Sequence, residues 1–351
     1  MKLYPKKIQA AILVRQNSSL VIDEISLPQK LLKGQVLVKM FYSGICGSQL
    51  GEISGVKGKD KYLPHLLGHE GVGEVIDYGY KVSKVKKGDK VLLHWMPALG
   101  LSSEHPKYTW KNKIVNAGSI ATFNSYAVVS ENKITKISKK IKNQKEILML
   151  GCTASTAIGS VNKLAKMKKN QTVAISGCGA LGLSIIKVCK IGGAKNIIVI
   201  DINEKNINLA KKFGATFYIN NAKFDFKKII LNKFPDLVDH FFECTGNVKI
   251  ISDAYECLNS TGNEILIGVP RFKQKASIYT LDLHLGKNLI GCKGGNFQPD
   301  KDLNNYLKII NKREYQLKKH ITSEVKLEDI NDVFSDMRRN KLTGKCIINL
   351  M

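Results

Sequence analysis

Arginine is scarce in this chain. Of 55 basic residues only Arg15, Arg271, Arg313, Arg338 and Arg339 are arginine, although the formal net charge is +26. The planar guanidinium makes the bidentate contacts to phosphates and bases, so charge carried by lysine argues against nucleic-acid recognition. It fits a solvated surface or the attraction of an anionic small substrate. Paired cysteines are also missing. The eight cysteines, at 46, 152, 178, 189, 244, 257, 292 and 346, form no CxxC pair. That excludes a small disulfide framework and leaves reduced thiols or metal ligands. No run of about eighteen apolar residues occurs, so no membrane helix is expected. The opening MKLYPKKIQAAILVRQ lacks a signal-peptide pattern. The expectation is a soluble, cytoplasmic protein without membrane or nucleic-acid partners.

At 351 residues, 44% of them hydrophobic, the chain exceeds the size at which single cores stop growing, and two domains are expected. Residues 1–150 carry short strand-like runs, QVLVKMFY, GVGEVIDYG and KVLLHW, between glycine and proline turns, which reads as a mostly β domain. Residues 151–292 alternate strands with helical stretches: TVAIS, LGLSIIKVCKIGG, NIIVID, EKNINLAKKFG, TFYIN, HFFECTG and EILIGVP. Such alternation predicts an α/β domain with a Rossmann-type, doubly wound parallel sheet. Residues 293–351 hold a helix near Leu303 to Ile310 and a last strand, KCIINL, and are expected to return to the first domain.

The stretch TVAISGCGALGLSIIKVCKIGGAKNIIVID, Thr172 to Asp201, sets Gly177, Gly179 and Gly182 between two apolar strands. In a dinucleotide site the first glycine permits the tight turn, the second lets the backbone approach a pyrophosphate, and the third lets the helix pack on the strand. The pyrophosphate rests on the helix N-terminus. Asp201 lies nineteen residues past Gly182, near the offset of an acid that binds the adenosine ribose. A carboxylate there repels a 2′-phosphate, which favours NAD over NADP.

Cys46 in YSGICGS, His69 in LGHEGVG and Cys152 in LGCTAS are metal-ligating residue types, but they lie 23 and 83 residues apart. Their spacing alone does not separate ligands from core thiols and a surface histidine.

Together with the glycine segment, these islands resemble the zinc-containing alcohol dehydrogenases of the medium-chain dehydrogenase/reductase superfamily. The resemblance extends through GHEGVGEV, KVKKGDKV, ATFNSYAVV, GCTASTAIGSV, VIDINEKNINLAKKFGAT and ILIGVP. It implies a GroES-like, mostly β catalytic domain beside the NAD-binding domain. Cys46, His69 and Cys152 match the ligands of one catalytic Zn2+ per chain, with Glu70 adjacent in the metal site. Two thiolates and one imidazole leave a fourth tetrahedral position open, where zinc acts as a Lewis acid and lowers the pKa of a bound oxygen toward ~7. Ser48 matches the hydroxyl that passes the alcohol proton outward, and Trp95 matches an aromatic wall of the substrate pocket. Thr156, Ala180, Leu181, Gly268 and Val269 match cofactor contacts, and Lys345 resembles a basic residue that meets the pyrophosphate. A homodimer or homotetramer is implied as well.

The implied activity is interconversion of an alcohol, polyol or sugar alcohol with its aldehyde or ketone. The net charge makes a phosphorylated or nucleotide-linked substrate plausible. The alternatives are a zinc-free reductase of activated double bonds or quinones, and a non-catalytic nucleotide-binding protein. Two departures stand out. Residues 98–118 contain no cysteine, so the four-cysteine structural zinc of many members is not expected, and packing or hydrogen bonds must hold that lobe. Gln49 stands where the family usually has aspartate, and Gly51 leaves no relay histidine nearby; His65 and His94 are candidate substitutes.

Overall fold

The computed structural model describes residues 4–138, 144–315 and 317–351. They form two compact units: one from 1–152 with 298–307 and 321–351, the other from 153–297 with 308–320.

In the first unit a closed barrel joins strands Lys7–Leu13, Val21–Ser26, Lys107–Trp110, Lys113–Asn116 and His65–Leu66. Beside it lies a second sheet centred on Gln35–Gly44, which pairs antiparallel with Gly71–Tyr78, Tyr126–Ser130 and Lys345–Asn349. The two-residue period of a strand sorts side chains between cores. Ile8, Ala10 and Ile12 enter one apolar cluster, whereas Ala11 and Leu13 enter another with Ile45, Phe123 and Phe334. The expected KVLLHW strand ends early, at Lys90–Leu93. Beyond it, His94 N still donates to Lys133 O at 3.0 Å, while the ring Nδ1 donates to Met96 O at 2.7 Å and Nε2 meets Thr135 Oγ1 at 3.0 Å.

The cysteine-free lobe is held by carboxylates. Buried Glu131 accepts from the backbone N–H groups of Ser83 (2.7 Å), Lys84 (2.8 Å) and Leu101 (2.8 Å). Asp300 accepts from Leu99 N at 2.6 Å and pairs with Lys84 Nζ at 2.7 Å. Ser103 N donates to Ser130 Oγ at 2.7 Å. Charge-assisted bonds of this kind are about twice as strong as neutral ones, which suits them to fixing a loop without a metal.

The second unit is a six-stranded sheet, every pairing parallel, running Phe217–Asn220, Asn196–Asp201, Thr172–Ser176, Val238–Glu243, Leu258–Leu266 and Asn288–Gly291. Counted in chain order within the unit this is 3-2-1-4-5-6, the Rossmann order, whose reversal beside the first strand marks the ligand-binding crevice. Helix Ala180–Ile191 follows the first strand, and helix Glu204–Phe213 is stopped by Gly214 at φ 118°. Only glycine adopts such a φ without strain. Among the described residues no helix is long and apolar enough to cross a membrane.

Candidate active site and metal centre

Three loops of the first unit bring Cys46, His69 and Cys152 together. Cys46 is extended (φ −132°, ψ 152°) at the N-cap of helix Gly47–Ile53, and the preceding Ile45 N donates to Cys346 O at 3.1 Å. His69 follows Gly68, whose φ is 93°; a Cβ on Gly68 would sit 2.9 Å from Phe123 N, so both conformation and space demand glycine. Leu67 O anchors this loop by accepting from Thr122 N (2.9 Å) and Phe123 N (3.0 Å). Cys152 closes the turn Leu148–Gly151, and a Cβ on Gly151 would stand 2.5 Å from Leu93 O and 2.8 Å from Glu70 Cβ.

The ligand atoms of Cys46, His69 and Cys152 lie within 4.8 Å of one another. His69 Nε2 is buried and has no hydrogen-bond partner, the condition of a nitrogen reserved for a metal. Two thiols and an imidazole form a soft donor set suited to zinc, with three protein ligands as in catalytic sites. Their protonation is coupled. The Cys152 S–H holds Cys46 well below the usual thiol range, with help from His69, and the Cys46 thiolate pushes Cys152 well above it. Burial opposes charge on His69, but Cys46 beside it outweighs burial and raises its pKa.

Glu70 is not among these three. It is fully buried, and its Oε1 accepts from Nζ of Lys345, itself only 1% exposed. Burial raises the Glu70 pKa and the lysine opposes that rise. Gly44 makes the room, since a Cβ there would lie 2.5 Å from Glu70 Oε1. Lys345 is thus a buried partner of Glu70, supplied by the strand that pairs Ile347 with Gly44. Ser48 Oγ lies 3.5 Å from His69 Nδ1. Gln49, 1% exposed, accepts from Cys46 N at 3.0 Å and places its Nε2 on His69 Nδ1.

The substitute relay histidines are otherwise engaged. His65 pairs with Asp60 at 2.7 Å, and burial pushes His94 down to about 4, where it stays neutral in its structural bonds. Trp95 is half-buried and does not line the cavity of about 590 Å3 in this unit. That cavity is bordered by Glu52, Lys57, Lys59, Lys61, His65 and His105.

In the second unit Gly177 has φ 84° and donates to Ile200 O at 2.9 Å. A Cβ on Gly182 would lie 2.1 Å from Gly177 O, so the third glycine lets helix and turn touch. Nothing lies within 4 Å of a Cβ built on Gly179, the helix N-cap, which leaves space for a ligand backbone. Asp201 Oδ2 accepts from Cys178 N at 2.6 Å and Oδ1 from Asn203 N at 2.8 Å. Oδ1, with this one donor, keeps a lone pair for a further hydroxyl. Ala180 and Leu181 are half-buried in the first turn, Thr156 is 6% exposed on helix Thr153–Gly159, and Val269 is 53% exposed. Gly268 closes on the neighbouring turn, a Cβ there falling 2.1 Å from Gly246 N.

Two residues here escaped the sequence reading. Glu243 organises the turn after its strand by accepting from Thr245 N (2.7 Å) and Gly246 N (3.0 Å). Asn206 Nδ2 reaches Asp201 Oδ2 at 3.3 Å. An acid closing a strand just ahead of Cys-Thr-Gly-Asn was the available signal for Glu243; Asn206, in the first turn of its helix, offered none.

Comparison with known proteins agrees with this geometry. Residues 32–139 match the alcohol dehydrogenase GroES-like domain, and residues 180–312 match the zinc-binding dehydrogenase domain. The chain is 30% identical to an S-(hydroxymethyl)glutathione dehydrogenase of Escherichia coli, over 95% of this chain and 98% of that one. It superposes on benzyl alcohol dehydrogenase from Acinetobacter calcoaceticus with a TM-score of 0.87, 25% identity and coverage of 99% and 100%. The fold is also that of 2R,3R-butanediol dehydrogenase from Bacillus subtilis, with TM-score 0.77, 24% identity and coverage of 97% and 99%. With 30% identity across nearly its whole length, and zinc and a nicotinamide dinucleotide as its cofactors, the chain belongs to the zinc-containing alcohol dehydrogenases of the medium-chain dehydrogenase/reductase superfamily.

Proposed function

We propose that this dehydrogenase interconverts an alcohol, polyol or sugar alcohol with its aldehyde or ketone, using NAD, and that it favours substrates carrying a phosphate or nucleotide group. The observation that carries the reading is the cluster of Cys46, His69 and Cys152 with the unpartnered Nε2 of His69. These three residues would hold zinc, which supplies Lewis acidity to the substrate oxygen. The first unit is then the catalytic domain and the second the cofactor domain.

Each remaining role belongs to a side chain of the protein. Ser48, on the helix that Cys46 caps, relays the alcohol proton outward, giving up its own hydroxyl proton toward solvent as it takes the new one, and its 3.5 Å approach to His69 puts it beside the ligand set. The Gly177 turn and the free N–H groups of helix Ala180–Ile191 take the pyrophosphate; Asp201 takes the ribose and disfavours a 2′-phosphate. At the rim of the cavity Lys57, Lys59 and Lys61 outnumber Glu52 and Asp60, and Asp60 is paired with His65, so the rim favours anions.

The reading includes a homodimer. Strand Asn288–Gly291 ends its sheet, and the preceding segment exposes Phe272, Tyr279, Leu281 and Leu285. An unpaired edge beside exposed apolar side chains suits a second copy of the same edge. A cytoplasmic setting fits eight cysteines that form no disulfide.

The test is metal analysis of protein purified without chelators, with turnover of NAD and NADP against neutral and phosphorylated alcohols. About one zinc per chain is expected, lost together with activity in Cys46→Ser and His69→Ala. Absence of both metal and turnover overturns the reading. Equal activity on neutral and phosphorylated analogues removes the anionic preference alone.

A further inference from the structure

Gln49 is a primary amide wedged between two of the three ligands. Its Oε1 accepts from Cys46 N at 3.0 Å, and its Nε2 meets His69 Nδ1. The orientation of a glutamine amide is assigned from its partners, and here one partner settles it. A backbone N–H can only donate, so the group facing Cys46 N is the oxygen. The group facing His69 is then the NH2, which also only donates, so Nδ1 must accept. A neutral imidazole with Nδ1 as acceptor carries its proton on Nε2. That nitrogen is the one without a partner, facing the two cysteines.

We propose that Gln49 is a positioning residue that holds His69 with its proton on Nε2 in the metal-free chain, so that metal capture requires the proton to leave and the amide to rearrange. The proposal rests on Cys46, His69 and Cys152 being the zinc ligands. A nitrogen that ligates zinc carries no proton, and the proton of a neutral ring then sits on Nδ1. There it confronts the NH2 of Gln49, donor against donor. Turning the amide over moves the same conflict to Cys46 N–H, because one amide has one oxygen and two N–H groups need it. Ser48 Oγ, at 3.5 Å, is the only other polar atom the structure places near Nδ1 among the described residues. A carboxylate at position 49 would accept from both groups at once. The consequence is a zinc site that loads slowly and holds its metal less tightly than the same three ligands would beside a carboxylate.

Gln49→Glu keeps the side-chain length and changes only the NH2 into a second acceptor. The first measurement is the tautomer of His69 in metal-free protein, read from two-bond proton–nitrogen correlations at alkaline pH, with His69→Asn identifying the signal. The second is the rate of zinc loss to a competing chelator. Wild type is expected to carry its proton on Nε2 and Gln49→Glu on Nδ1, with zinc retained about tenfold longer in the variant, the lower end of the range for partners of metal ligands. Gln49→Ala, which leaves Nδ1 to Ser48 or water, is expected to keep the wild-type fold and lose the bias toward Nε2. A proton on Nδ1 in metal-free wild type overturns the proposal, and so does equal zinc retention in wild type and Gln49→Glu. Zinc bound by neither protein sinks the ligand assignment, and with it the capture half of the proposal; the tautomer measurement still decides the other half.

Discussion

Glu264 should make the second unit lose stability as pH rises. It lies on Leu258–Leu266, in register with Phe241 on one side and Leu289 on the other. It is fully buried, and neither carboxylate oxygen has a hydrogen-bond partner. Burial, followed by the nearby charge of Glu243, raises its pKa from 4.5 to about 9. The folded chain therefore keeps a proton that the unfolded chain releases near 4.5. Between those values the native state binds one proton more than the unfolded state, so unfolding free energy falls with pH. Stability from this group is complete below pH 4.5 and is lost progressively up to about pH 9. One pH unit is worth about 1.4 kcal/mol, so the two units from pH 6 to 8 amount to roughly 3 kcal/mol. Glu264→Gln has the same shape and no proton to release. Urea unfolding of wild type and variant at pH 6, 7 and 8 should give stabilities that diverge by about that amount, the variant being the more stable of the two at pH 8. Other titrating groups cancel in the difference. Parallel stability curves, or a variant less stable than wild type at pH 8, would refute the reasoning.

Three further outcomes follow from buried charge and from the cofactor turn. Lys345→Met leaves the Glu70 carboxylate buried without its partner and should lower stability by about 3–5 kcal/mol; adding Glu70→Gln should recover part of it in the same melt. Glu131→Gln replaces an acceptor of three N–H groups with one that must present an NH2 to at least one of them. It should cost about 1–3 kcal/mol and speed amide exchange at Leu101 more than at the Gly177 turn, which exchange mass spectrometry reads directly. Asp201→Ser removes the charge at the ribose position, and steady-state kinetics should show the ratio of kcat/KM for NAD over NADP falling by about tenfold or more, as for a loss of about 1.4 kcal/mol of discrimination. An unchanged ratio would place the cofactor selector elsewhere.

What sequence reading captured, and what it missed, follows from the range over which each residue acts. The glycines of the cofactor turn act on their immediate neighbours. Gly177 needs its positive φ because the next turn begins there, and Gly182 needs no Cβ because Gly177 O is 2.1 Å away. Those constraints lie within six residues, so the motif exposed them, and the parallel sheet followed from alternating apolar strands and helices. The metal cluster is the opposite case. Cys46 and Cys152 are 106 residues apart, and no local pattern makes them neighbours; only resemblance named them, and the fold brings their sulfurs to one histidine. Glu131 and Asp300 were invisible for the same reason. Each is an ordinary acid in the sequence, and it becomes the anchor of the cysteine-free lobe only when a loop 30 residues away, or 201 away, presents an N–H to it. The KVLLHW run is a strand as read, over Lys90–Leu93, because the alternation that marks it is local. Gln49 combines both ranges. Its substitution is visible in the motif, and its meaning depends on one oxygen meeting a backbone N–H three residues back while its nitrogen meets a ring twenty residues ahead. A carboxylate and an amide differ little in volume, but an amide offers His69 Nδ1 a donor where a carboxylate would offer an acceptor.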